Sequence, residues 1–179
     1  MDDRAQLLDQ ISAKAMVIGP VTLSSGQEAD YYIDLRRITL DGAAAPLVGR
    51  VMRALTRDLA YDAVGGLTLG ADPVAAAMLH AAAATGESLN AFVVRKSGKA
   101  HGLQRRIEGP DVAGRRVLAV EDTSTTGASV LEAVAALQAA GAEVVAVAVI
   151  VDRGARGAVE AQGLRYLAAY ERSDLELPG

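Results

Sequence analysis

Residues 117–130 read VLAVEDTSTTGASV. The apolar run Val117–Val120 leads into adjacent acids, Glu121 and Asp122, and then into small hydroxyl residues around Gly127 before a helical pattern resumes. The apolar run has the form of a buried strand. The first amides of the helix that follows lack intrahelical acceptors, and the helix dipole adds partial positive charge. Thr123, Ser124, Thr125, Thr126, Gly127, Ala128 and Ser129 therefore form a candidate cradle for a phosphate. Carboxylates beside such a cradle would repel the anion, so Glu121 and Asp122 need another task. Holding a metal ion is one option; accepting hydrogen bonds from neighbouring hydroxyls, such as the cis-diol of a phosphorylated ribose, is the other. The segment is neither a Walker A loop nor a GxGxxG turn.

The pattern continues outward on both sides. Val130, Leu131, Val134 and Leu137 mark a helix that stops at Gly141, and EVVAVAVIVDRG (143–154) is the next buried strand. ARGAVEAQGL is a short helix and RYLAAY a closing strand. Upstream, Leu7, Leu8, Ile11, Ala15 and Ile18 share one helical face ending at Gly19-Pro20. VTLSSGQEADYYIDL reads as two extended pieces around a turn at Ser25-Gly26. Asp41 caps a helix carrying Leu47, Val48, Val51, Leu55 and Leu59. YDAVGGLTLGADP is a short strand running into glycines, followed by an alanine-rich helix to about Thr85, and NAFVVRK is a further strand.

Strands alternating with helices, with continuous apolar central strands, predict an α/β fold. Its mostly parallel central sheet is Rossmann-like and flanked by helices. One domain over residues 1–179 is expected, since no repeat or composition break divides the chain. Ligands in such folds lie beyond the carboxyl ends of the strands. Gly65–Gly70, Arg95–His101, Glu121–Ser129 and Asp152–Arg153 all fall there.

The 179 residues are 51% hydrophobic, contain no cysteine and carry a net charge of −4. Thiol chemistry and disulfides are thereby excluded. The acidic, amphipathic N-terminus is unlike a secretory signal, and no apolar run is long enough to cross a bilayer. A cytoplasmic protein with no membrane partner is expected. Arg95 to Arg116 holds seven basic and two acidic residues, so the rest of the chain is strongly acidic. A local basic segment favours a compact anionic ligand over a long nucleic acid. With five Tyr, one Phe and no Trp, base stacking is also disfavoured.

Within that segment RKSGKAHG places Arg95, Lys96, Lys99 and His101 on a loop of about twenty residues with little periodicity. His80, in the alanine-rich helix, reads as a structural or surface residue.

Val117–Ser129 resembles the ribose-phosphate signature of the type I phosphoribosyltransferases. RKSGKAHG resembles the catalytic loop of the orotate-using members, LSSGQEADYYIDLRR their segment over the base, and VDR (151–153) their orotate-contacting turn. The resemblance implies that fold, with residues 1–40 forming a hood over the base site. It implies transfer of the 5-phosphoribosyl group from phosphoribosyl pyrophosphate (PRPP) to orotate, giving orotidine 5-monophosphate and pyrophosphate in pyrimidine synthesis. By resemblance Lys99, His101 and Asp122 are catalytic, and Arg95, Lys96, Lys99, His101 and Glu121–Ser129 bind PRPP. Thr125, Arg153, Tyr32 and Ile33 contact orotate. Mg²⁺ rides mainly on PRPP, without a direct protein ligand, and a homodimer shares the catalytic loop between subunits. Two positions depart from the family's pattern: Ser24 and Gly70 stand where many relatives carry lysine, which leaves Arg36 or Arg37 as replacement cations. A phosphoribosyltransferase for another base and a non-enzymatic PRPP-binding regulator are the alternatives.

Overall fold

The computed structural model describes residues 2–22, 28–96 and 106–175. Helix α1 (Asp3–Lys14) opens on Asp2, whose side chain accepts from the Ala5 amide at 2.7 Å, and buries Leu7 and Ile11. It ends four residues earlier than Ile18, which belongs to strand β1 (Met16–Thr22). That strand runs through Gly19-Pro20, where the register with β2 (Glu28–Ile33) shifts between Ile18 and Val21. Proline has no N–H for a ladder, so an irregular stretch is where a strand tolerates it. The two strands pair antiparallel, as the extended pieces predict. The expected turn at Ser25-Gly26 lies outside the described residues.

A short helix α2 (Arg36–Thr39) follows that the sequence pattern did not announce. Asp41 Oδ1 then accepts from the amides of Ala43 and Ala44 at 3.0 and 2.9 Å, ahead of α3 (Ala45–Leu55). Its other oxygen receives Lys14 Nζ at 2.9 Å, tying α1 to the start of α3. Leu59 falls beyond the helix, packed against the core from the connecting segment.

The remaining elements alternate. They are β3 (Ala63–Leu67), α4 (Ala71–Ala84), β4 (Asn90–Val94), β5 (Ile107–Glu108), β6 (Arg116–Ser124), α5 (Ala128–Ala139), β7 (Glu143–Asp152), α6 (Arg156–Glu160) and β8 (Tyr166–Glu171). The main sheet has the order β5-β4-β3-β6-β7-β8, parallel except for β5, which pairs antiparallel with β4 inside the stretch expected to lack structure. Leu118, Val120, Ala148 and Ile150 join α1, α3 and α4 in one core cluster. Val117, Ala119, Val147 and Val149 join α5 and α6 in the other. The alternation of strand side chains thus fills both faces, which is why β6 and β7 read as unbroken apolar runs. His80 is exposed on α4.

Candidate functional site

Strand β6 does not end at the paired acids. Its pairing with β7 continues through Thr123↔Val151 and Ser124↔Asp152, so Glu121 and Asp122 are strand residues. Glu121 is 5% exposed and Asp122 half-buried. Both carboxylates converge on Gly70. A Cβ there would lie 2.3 Å from Glu121 Oε1 and 2.9 Å from Asp122 Oδ1. Gly70 has an ordinary helical conformation, φ −60°, so a side chain there would be opposed not by the backbone but by the two carboxylates, which would have to shift.

Burial, and next the charge of Asp122, pushes Glu121 up to about 8. Asp122 is also raised, first by burial; the Thr123 amide, Glu121 and the Arg36 guanidinium pull it partly back. Arg36 is held by Asp34 (Nε–Oδ1 2.8 Å), its side chain 45% exposed. It is raised first by that hydrogen bond and also by Tyr32 and Asp122. Arg37 instead turns back to the Lys14 carbonyl at 3.4 Å. Of the two arginines weighed as replacement cations, Arg36 is the one whose charge reaches Asp122.

A third acid, Asp72, stands behind them. Its Oδ2 accepts from Thr68 Oγ1 at 2.6 Å, and Glu121 feels its charge. Burial raises Asp72, with Thr68 opposing. The sequence reading marked Gly65–Gly70, which contains Thr68, as a strand-end segment but gave Thr68 no role and missed Asp72. Their side chains meet only once the chain has turned from β3 into α4.

The hydroxyl segment closes with Gly127 in the left-handed region (φ +80°), the N-cap of α5. No side chain at that N-cap bonds the helix; Thr126 Oγ1 accepts from the Ala128 amide at 3.3 Å. Thr125, Thr126, Ala128 and Ser129 are exposed, while Ser124 is buried. Thr123 Oγ1 is buried with no hydrogen-bond partner among the described residues. Exposed hydroxyls of Thr125, Thr126 and Ser129 thus stand beside the amides of the first turn of α5.

The Arg153 turn is fastened to this segment. Its amide donates to Ser124 O at 2.8 Å, and a Cβ on Gly154 would lie 3.5 Å from Thr125 O. Asp152, 4% exposed, shapes the turn: its Oδ1 accepts from the amides of Gly154 (3.0 Å) and Ala155 (2.8 Å) and from Tyr166 Oη (3.0 Å). Burial pushes Asp152 up, but these donors outweigh it and hold the carboxyl below its ordinary value. Thr125 and Arg153, predicted to share a ligand, are thus neighbours.

The other predicted residues divide. Tyr32 is half-buried on β2 and near enough to Arg36 to affect its charge. Ile33 is 1% exposed and packs in the core with Leu35 and Ile38, so it backs the hood instead of facing an open wall. Arg95 pairs with Glu108 across β4 and β5 at 3.3 Å. Arg106 donates to the carbonyls of Arg95 and Lys96 and to Glu132, which fixes the base of the basic stretch. Lys96 is exposed there. Lys99 and His101 lie outside the described residues, as does Ser24.

Comparison with known proteins identifies the family of the chain as a whole. The family model described as the phosphoribosyl transferase domain matches residues 38–163. A Streptomyces avermitilis protein named orotate phosphoribosyltransferase is 68% identical over 181 residues, covering 99% of this chain and 100% of that protein. The Mycobacterium tuberculosis protein of the same name is 59% identical over 177 residues, covering 98% and 97%. The crystal structure of M. tuberculosis orotate phosphoribosyltransferase in complex with 5-phospho-α-D-ribosyl 1-diphosphate superposes with TM-score 0.85 at 52% identity, covering 98% of this chain and 100% of that one.

Proposed function

The chain belongs to the orotate phosphoribosyltransferases, a branch of the phosphoribosyltransferase family, and from that premise we propose how it transfers the 5-phosphoribosyl group of PRPP to orotate. The products are orotidine 5-monophosphate and pyrophosphate. One observation carries the assignment of the site. The two carboxylates of Glu121 and Asp122 meet over Gly70 directly before the hydroxyl segment and Gly127 turn, with the Arg153 turn bonded alongside.

Breaking the anomeric C–O bond leaves positive charge on the ribose ring and negative charge on pyrophosphate. Asp122 and Glu121 accept hydrogen bonds from the ribose diol and favour the developing cation. Thr123 to Ser129 seat the 5-phosphate, which fixes the ring relative to the incoming base. Arg95, Lys96, Lys99 and His101 receive the charge of the departing pyrophosphate; each such preorganised donor is commonly worth roughly 10²–10³ in rate. Arg36, exposed beside Asp122, stands where it adds to that cationic field. PRPP would carry Mg²⁺, whose charge would offset part of that of the departing pyrophosphate, and no residue of this chain is assigned to hold the ion directly.

Orotate lies between Tyr32 and the Arg153 turn. The guanidinium fork matches its carboxylate, and Thr125 supplies a hydrogen bond. The paired strands β1 and β2 act as the hood of a single domain spanning residues 1–179. The working form is a homodimer that shares the loop carrying Lys99 and His101. In support, Leu40 and Leu69 are 69% and 58% exposed, and Leu40 borders an apolar groove of about 510 Å³ between α3 and α4. The proposed setting is the cytoplasm; no described helix is long and apolar enough to cross a membrane.

Loss of orotate's ultraviolet absorbance on adding PRPP and Mg²⁺ tests the reaction. A purine consumed while orotate stays untouched would instead favour a different base, and nucleic-acid binding without turnover a regulator.

A further inference from the structure

The turn from β3 into α4 is closed at both ends. Thr68 N–H donates to Val94 O on the neighbouring strand at 2.8 Å, and Asp72 N–H reaches back to Leu69 O at 3.3 Å. Across it, Thr68 Oγ1 donates to Asp72 Oδ2 at 2.6 Å. The last residue of the turn is Gly70, the one pressed against both Glu121 and Asp122. Asp72 Oδ1, by contrast, is buried without a hydrogen-bond partner among the described residues. A third acid close to two others, with one oxygen withdrawn from water, is electrostatically unfavourable. An apolar pair could close the same turn without that cost, so the acid calls for a reason beyond folding. Its place in the first turn of α4 offsets part of the cost through the helix dipole.

Resting on the reading of Glu121 and Asp122 as the ribose-holding acids, we propose that Asp72 is a positioning residue for the transfer reaction. Through Thr68 it fixes the turn whose glycine forms the wall behind both carboxylates, and so sets the angle at which they meet the diol. It acts on the substrate only through Gly70. Loosening that wall gives the two carboxyl groups room to splay. The effect falls on the substrate bearing the ribose and leaves the orotate contacts assigned to Tyr32, Thr125 and Arg153 as they were.

The test is steady-state kinetics on the full chain with four single variants and one double. Asp72→Ala and Thr68→Val each remove one half of the hydrogen bond. Each is expected to lower kcat/KM for PRPP about tenfold, roughly 1.4 kcal/mol, with KM for orotate unchanged. The double variant is expected to be no worse than either single, because both act through one bond. Asp72→Asn still presents an acceptor, and Thr68→Ser keeps the donor, so both restore most of the loss even if the harsher variants fold poorly. Circular dichroism and melting temperature establish which variants are folded. Parental kinetics in folded Asp72→Ala and Thr68→Val, losses that multiply in the double, or an Asn variant as damaged as Ala would each overturn the proposal. A change in melting temperature alone would reduce Asp72 to a structural role and overturn it equally. Absence of turnover in the parent protein removes the functional reading itself, and is seen before any variant is made.

Discussion

Gly70 and Glu121, fifty-one positions apart in the chain, are in contact so close that no side chain fits between them: a Cβ on Gly70 would sit 2.3 Å from Glu121 Oε1. Because the Gly70 backbone is helical (φ −60°, ψ −40°), alanine is conformationally acceptable there and only the overlap is felt. Gly70→Ala is therefore expected to displace both acids and to lower kcat/KM for PRPP by about tenfold or more, a misplacement effect of the kind that orientation arguments predict. Kinetics of the folded variant with PRPP varied check this; an unchanged value would mean that the acids have room the structure does not show.

The raised Glu121 has a consequence for stability. Its carboxyl, pushed up to about 8 from an ordinary 4.5, keeps a proton in the folded state that the unfolded chain releases. The unfolded state binds fewer protons between roughly pH 5 and 8, so this group makes stability fall as pH rises through that window. The slope is at most about 1.4 kcal/mol per pH unit. Glu121→Gln cannot ionise and is expected to lose that slope, becoming more stable than the parent toward pH 8. Urea unfolding at several pH values reads the difference, and parallel curves would contradict it. Binding runs the other way: a diol donates to the ionised carboxylate, so PRPP affinity is expected to rise over the same range.

On the turn after β7, two adjacent residues are expected to separate cleanly. Asp152→Ala removes an acceptor serving two amides and the Tyr166 hydroxyl, and should cost about 3 kcal/mol, roughly one for each hydrogen bond lost. Arg153→Ala keeps the backbone bond to Ser124 O and should leave stability within about 0.5 kcal/mol. It should raise KM for orotate about 10–100-fold, the worth of a charge-assisted hydrogen bond, with KM for PRPP unmoved. Denaturant melts paired with two-substrate kinetics distinguish the two roles. A loss confined to PRPP in Arg153→Ala would reassign its guanidinium.

The exposed Leu40 supplies a test of assembly. Leu40→Asp places a charge on the apolar groove between α3 and α4 and is expected to shift the proposed homodimer toward monomer, as measured by light scattering against the parent. Turnover per chain should fall with dilution in the variant before it does in the parent. A variant that stays dimeric at low concentration would place the interface elsewhere.

Much of this molecule is local in origin. The apolar alternation that filled both faces of β6 and β7, the Asp2 cap, the Asp41 carboxylate on the amides just ahead of α3, and the helix restart after Gly127 all act over a few residues, so the sequence by itself determined the parallel sheet and the order of acids and hydroxyls along β6, though not that β6 runs on past the acids to Ser124. It misjudged the elements where local signals conflict. Gly19-Pro20 looked like a stop and instead lies within β1, and α2 and β5 were too short to leave a period. What tertiary structure alone decided is which groups meet: Gly70 with Glu121, Thr68 with Asp72, the Arg153 amide with Ser124 O, and Ile33 turned into the core while Tyr32 is not, with Arg36 brought within electrostatic reach of Asp122. Periodicity carries the direction of a side chain relative to its own strand or helix. The distance between two elements depends on how their shared core packs, and only the folded chain sets it.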